Sequence, residues 1–209
     1  MKQIILRILA TLLCIAAAPL LAAAPGKIEA SYNVIGFGMT LASITETFTR
    51  TDDNYEILSV TKAVGLLARL KPETIHVISK GKVTPQGLVP LSYSLTRTAD
   101  THKNASAKFN WEKSTLTHTD YKGVLDLPLA KGTQDRLSVL YHLPLLAQSV
   151  NPELKFSIAD GNNVEDYNFI LAPEEHSTHV PLGTFKTKLI SSIPAVEAIK
   201  YEIWLTTEH

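Results

Sequence analysis

From Ile28 onward, apolar and polar positions alternate with the two-residue period of a strand. The pattern is clearest in Ile28-Glu29-Ala30-Ser31-Tyr32-Asn33-Val34, where every second residue is apolar. Strands are predicted next over residues 39–48 and 55–63. Gly36-Phe37-Gly38 suits a tight turn before the first of them, and Thr51-Asp52-Asp53-Asn54 suits one between them. An apolar interruption at 64–70, ahead of Pro72, reads as a helical turn or a loop tucked against the sheet. Strands recur near 74–83, 91–98, 105–111 and 115–121, with turns at Pro85-Gln86-Gly87 and Glu112-Lys113-Ser114. They resume at 154–159, 164–171, 176–180, 184–191 and 201–206, the first two joined by Asp160-Gly161-Asn162-Asn163. Short strands linked by short turns indicate antiparallel pairing, with one face of the sheet dry and the other wet.

One segment breaks the alternation. Thr133 is a suitable helix N-cap, Asp135 places negative charge in the first turn, and Leu137, Leu140, Tyr141 and Pro144 share one face. Val139, Leu143, Leu145 and Leu146 make this helix apolar almost all round, as a buried helix is. Pro144 is expected to end or kink it near Leu143. The predicted fold is therefore mainly β: a curved antiparallel sheet, a half-barrel-like meander, with one buried α-helix packed in its concave face. No repeat, low-complexity tract or linker divides residues 25–209, which read as a single β-rich domain.

The first residues follow other rules. Lys2 and Arg7 mark a cationic start, an apolar run extends from Ile8 to Ala24, and the run ends in Ala22-Ala23-Ala24. This is the pattern of a cleaved secretory signal peptide over residues 1–24, and so of export across a bacterial inner membrane to the periplasm. A transmembrane anchor would need about 20 apolar residues and charged flanks, whereas this run holds Pro19 and ends at Pro25-Gly26. Cys14 lies mid-run after Leu12-Leu13, which is not the setting of a lipidated cysteine. Cleavage after Ala24 satisfies the small-residue rule but leaves Pro25 first, so the bond itself stays open.

Removing that segment changes the chemistry left to the chain. The whole sequence holds 20 Lys+Arg and 20 Asp+Glu, so loss of Lys2 and Arg7 leaves a net charge near −2. Scattered charge of this size points to neither a nucleic-acid partner nor a polybasic membrane segment. The single cysteine leaves too, and with it any disulfide, thiol nucleophile or thiolate metal site. No integral membrane segment is expected after cleavage.

Four local patterns in order, Gly87-Leu88-Val89-Pro90, Phe109-Asn110-Trp111, Gln134-Asp135-Arg136-Leu137-Ser138 and Glu202-Ile203-Trp204-Leu205, resemble the exported bacterial family catalogued as domain of unknown function 3108. The resemblance covers nearly the whole chain after the signal. It implies a largely antiparallel, curved β fold of the cell envelope, with no assigned activity. Members usually continue past the Trp-Leu pair into a Leu-Pro-containing strand, whereas this sequence stops at His209. Either the sequence is truncated at this end or the last strand is absent, which would leave an unpaired sheet edge.

Candidate chemistry is sparse. Gln134-Asp135-Arg136 is the densest polar cluster; it serves either as a site at the mouth of the sheet or as a cap and charge pair holding the helix. Ser59-Val60-Thr61-Lys62 matches the Ser-x-x-Lys of penicillin-recognising enzymes, but that chemistry needs one helical turn between the two residues. A strand sends positions three apart to opposite faces, and Lys131-Gly132-Thr133 has the wrong order for the companion motif. The same geometry opposes His176 and His179 as metal ligands, so no metal or other cofactor is predicted. Asn104-Ala105-Ser106 is formally a glycosylation sequon and carries little weight in a bacterial chain. Trp111, Trp204, Tyr32 and Phe109 read as core aromatics rather than a sugar-stacking platform.

The leading expectation is a non-enzymatic periplasmic protein that holds a hydrophobic ligand, a lipid or acyl chain, or an envelope protein. Leu137, Leu140, Tyr141 and Leu143 would line the space, with Trp111 contributing. A structural or assembly factor acting through a sheet edge is the first alternative. An envelope hydrolase with Asp135 among its polar groups is the second.

Overall fold

The computed structural model describes residues 26–146, 153–159, 163–193 and 202–206. The expected signal segment, 1–24, and most of the 160–163 turn lie outside the described residues. Eight consecutive strands form one antiparallel, curled half-barrel sheet: β1 (Lys27–Gly36), β2 (Met39–Thr51), β3 (Asn54–Ala63), β4 (Thr74–Thr84), β5 (Gly87–Arg97), β6 (Ala105–Asn110), β7 (Thr115–Asp120) and β8 (Gly123–Pro128). Each pairs with the next, as a meander of short hairpins must. The Asp52-Asp53 and Pro85-Gln86 turns fall where turn chemistry puts them.

A second sheet was not anticipated. Five strands, in the order β13 (Glu202–Thr206), β12 (Gly183–Ile193), β11 (Val164–Val180), β10 (Glu153–Ala159) and β9 (Gln134–Asp135), pair separately from the first eight. All pairs in it are antiparallel except β9 with β10, where Gln134 faces Ile158 and Asp135 faces Ala159 in parallel. Periodicity identifies strands but not partners, so one meander was the simplest reading. The predicted strands 164–171 and 176–180 are one strand, β11, which bends through a register irregularity between Leu171 and Glu175. Pro173 lies inside that irregularity, where its missing N–H is tolerated. Strands β8 and β9 went unpredicted, and Gly87–Pro90 opens β5 rather than lying between strands.

Helix α1 (Gly65–Leu70) occupies the apolar interruption as the helical turn expected there, beside β2, with none of its residues buried. Helix α2 (Ser138–Leu146) starts later than its sequence suggests. Thr133 is not its cap, because Gln134 and Asp135 are held extended against β10. The helix is capped instead by the Asp135 carboxylate, which accepts the N–H groups of Leu137 and Ser138 at 2.9 and 2.8 Å. Pro144 does not end α2; it sits in the last turn, and the helix continues to Leu146.

Three apolar clusters stabilise this arrangement. Tyr93, Ala107, Phe109, Leu116 and Leu129 fill one part of the first sheet, joined there by Ala159 of β10. Phe48, Tyr55, Ile57 and Leu88 pack with Leu137 in a second. Val139 and Leu143 pack with Leu154, Ile158, Phe169 and Ile190 in a third. Helix α2 and its lead-in thus contribute to both sheets. The alternation in β1 misleads about burial: Ile28, Tyr32 and Val34 are exposed, because β1 is an edge strand and the buried clusters lie under other strands. Gly81 matters for the close packing: a Cβ there would strike the Val89 carbonyl, where the β4–β5 register shifts to accommodate Pro90.

Candidate functional site: the two sides of the seam helix

Toward the first sheet, the α2 region is bound by polar contacts. Asp135 is fully buried, and Ser79 of β4 donates its hydroxyl to the Asp135 carboxylate at 2.5 Å. With that proton committed, the Tyr55 hydroxyl donates to Ser79 at 3.1 Å. The Asp135 N–H donates to the Ser138 hydroxyl at 2.8 Å, completing a closed turn at the head of the helix. Gln134, also buried, donates its side-chain amide to the Leu88 carbonyl at 2.9 Å. One turn further on, His142 Nδ1 accepts the Leu88 N–H at 3.1 Å. Both main-chain groups of Leu88 are therefore met by side chains from the 134–142 segment. Tyr141 stacks on Phe48 at 4.9 Å between centroids and donates its hydroxyl to Glu46 at 2.9 Å.

The electrostatics follow from this burial. Desolvation raises the Asp135 carboxyl to about 6, against the opposing effect of its donors Ser138, Ser79 and Leu137. Burial, then the nearby Asp135 charge, pushes the Tyr55 phenol well up. Burial and then Glu46 do the same to Tyr141. Burial lowers His142, which fits a neutral ring whose Nδ1 is an acceptor.

The other side of α2 is different in kind. Between the helix and the second sheet lies a cavity of about 290 Å³ lined by Val139, Leu140, Leu143, Ile158, Phe169 and Ile203, with Arg136 beside them. Among the described residues of this lining, Arg136 is the charged one. The volume falls at the small end of ligand pockets, and the lining is what an aliphatic occupant needs.

The residues proposed from sequence divide between these sides. Leu140 and Leu143 line the cavity, while Leu137 and Tyr141 face the first sheet. Trp111 lies in neither place: it follows β6, stacks on Phe109 at 6.0 Å and donates its indole N–H to the Pro90 carbonyl at 2.7 Å. Gln134 and Asp135 join the buried polar network, and Arg136 lies on the cavity. Ser59 is buried and Lys62 exposed, on opposite faces of β3. On β11, His176 meets Trp204 edge-on at 5.3 Å and His179 bonds Thr184 at 3.0 Å.

Val139, Ile158, Phe169 and Ile203 of the cavity, and Tyr55, Ser79 and His142 of the network, were missed. One trace of the network is visible in sequence. The inward positions of β4 run Ile75, Val77, Ser79, Gly81, losing bulk where Asp135 and Tyr55 approach.

The chain belongs to the family described as protein of unknown function DUF3108, whose pattern matches residues 27–209. It is also similar to a crystal structure described as a β-barrel-like protein of domain of unknown function DUF1849 from Brucella abortus. That likeness is at 11% identity over 72% of this chain and 68% of the other, with a TM-score of 0.45. No curated protein matches the chain.

Proposed function

We propose that this member of the DUF3108 family is exported to the periplasm, loses residues 1–24, and there holds a hydrophobic ligand without catalysing a reaction. The ligand lies between α2 and the second sheet, and α2 forms the floor of the concave space. The observation that carries this reading is the apolar cavity of about 290 Å³ with Arg136 beside it. A slender acyl chain suits the lining, and the guanidinium suits an anionic head group on that chain. The hydrolase reading gains nothing, because Asp135 is fully buried and already accepts from Ser79, Leu137 and Ser138.

Native mass spectrometry of the exported chain tests the proposal. A co-purifying lipid-sized mass that disappears in Leu143→Trp supports it. A bare chain that also takes up neither a fatty acid nor an apolar dye removes it.

A second reading, docking of an envelope protein through a sheet edge, is favoured by β8. Among the described residues this strand ends the first sheet, pairing there with β7, and leaves Val124 and Leu125 exposed. Periplasmic crosslinking from position 124 should capture one stoichiometric partner under this reading, and none otherwise.

A further inference from the structure

Phe37 stands at the tip of the β1–β2 hairpin, 96% exposed, with its backbone in the left-handed region at φ 53°. A bulky side chain enters that region only under constraint. Helix α1 lies at the same end of the sheet. Val64 donates its N–H to the Leu41 carbonyl at 3.0 Å, and Ala63 donates to Glu73 at 3.1 Å, which closes the segment beside the hairpin. There α1 presents Leu66 and Leu70, 64% and 75% exposed, next to the exposed Met39. Large apolar side chains on a protruding turn and helix mark an interaction surface rather than a core.

Charge narrows the partner. Residues 34–42 carry no charge, while 62–71 carry Lys62, Arg69 and Lys71 and no acid. The neighbouring acids are engaged: Glu73 with Arg97 at 3.1 Å, and Asp100 with Lys103 at 3.1 Å. The opposite end of the sheet is built otherwise, from the polar turns Asp52-Asp53, Pro85-Gln86 and 111–114.

We propose that this rim docks on an anionic lipid bilayer, with Phe37, Met39, Leu66 and Leu70 entering the interfacial zone and Lys62, Arg69 and Lys71 meeting lipid phosphates. A second copy of the chain is a poor occupant, since a symmetric contact would bring the same three cations together. A folded partner would need a shape matched to separate projecting side chains, whereas a bilayer deforms around them. Each cation near an anionic leaflet contributes roughly fivefold in affinity, so three give roughly a hundredfold. The inference stands apart from the ligand cavity, which lies at α2.

Co-sedimentation of the exported chain with vesicles tests it. The parent should bind mixed phosphatidylcholine–phosphatidylglycerol vesicles and bind pure phosphatidylcholine far more weakly. The triple variant Phe37→Ser, Leu66→Ser, Leu70→Ser should lose about tenfold or more, given the interfacial burial of apolar area. Lys62→Gln, Arg69→Gln, Lys71→Gln should lose most of the preference for the anionic lipid. Should the serine variant fail to fold, Phe37→Trp serves instead, its emission shifting to the blue on anionic vesicles. Equal sedimentation of parent and folded variants, or an unmoved tryptophan, overturns the proposal. So does a dimer, formed without lipid, that Phe37→Ser dissolves.

Discussion

The two sides of α2 solve the same packing problem in opposite ways. Against the first sheet, the segment from Gln134 to His142 is held by directional bonds to Ser79, Leu88 and Glu46. Against the second sheet, the helix makes apolar contacts around a cavity. Hydrogen bonds fix position because a buried donor or acceptor tolerates little displacement without losing its partner. Apolar contact is non-directional and tolerates a gap or a guest. The difference teaches that one side sets where the helix sits, while the other rests on contacts that tolerate displacement. Residues Gln134 and Asp135 join the two regimes, with their main chain paired to β10 and their side chains reaching β5 and β4.

The largest effect is expected from breaking the polar side. Asp135→Ala strands the Ser79 hydroxyl and two helix N–H groups in a buried site, at a cost of about 3–5 kcal/mol. Urea denaturation should show a much lower midpoint or no folded baseline; an unchanged midpoint would mean the network does not hold the helix. Next comes Leu143→Ala, which removes a fully buried side chain from the apolar side. A loss of about 2–4 kcal/mol is expected, with apolar dye binding retained or increased because the cavity grows. Loss of dye binding in a folded variant would contradict the assignment of that space.

The pH dependence separates the two sides more finely. The Asp135 carboxyl, raised to about 6, keeps a proton between its ordinary value near 3.8 and 6 that the unfolded chain has released. Its contribution is therefore fully present below pH about 4 and is lost as pH rises through 6, by on the order of 3 kcal/mol. His142 acts in the opposite sense, because burial lowers its pKa, so its contribution is lost as pH falls below its ordinary range. Asp135→Asn removes the first effect alone, and the difference between parent and variant denaturation midpoints should change steadily from pH 4 to 7. A constant difference would show that Asp135 does not titrate in that window. The smallest effect is expected from Val139→Ile, which adds one methylene toward the cavity. Stability should change by less than about 1 kcal/mol, while affinity for an acyl chain falls in calorimetry if that chain occupies the space.

Much of the fold was legible because a strand announces itself locally. Alternation located most of the strands, and turn chemistry located the hairpins of the first sheet except the Tyr121-Lys122 turn that leads into β8. What failed was whatever depends on residues distant in sequence. Nothing in Val164–Val180 says that it pairs in a separate sheet from β1–β8, or that its two predicted strands continue through the irregularity between Leu171 and Glu175 as one. Thr133 is a chemically sound cap, displaced because β10 recruits Gln134 and Asp135 into a ladder. Tyr141 and Leu140 are adjacent in sequence and face different sheets, so the lining of the cavity followed from which sheet each side of α2 meets.

Local physics in the chain by itself determined that it is β-rich, that one apolar helix interrupts the strands, and that Gln134-Asp135-Arg136 introduces it. These follow from periodicity, backbone preference and side-chain polarity, each of which acts within a few residues. Tertiary structure alone decided that there are two sheets and that Asp135 is a buried lock rather than an exposed acid. It also decided that Leu143 borders a cavity and that the apolar tip at Phe37 stays bare. Burial is a property of what comes to lie on top of a residue, and a sequence carries no local record of that.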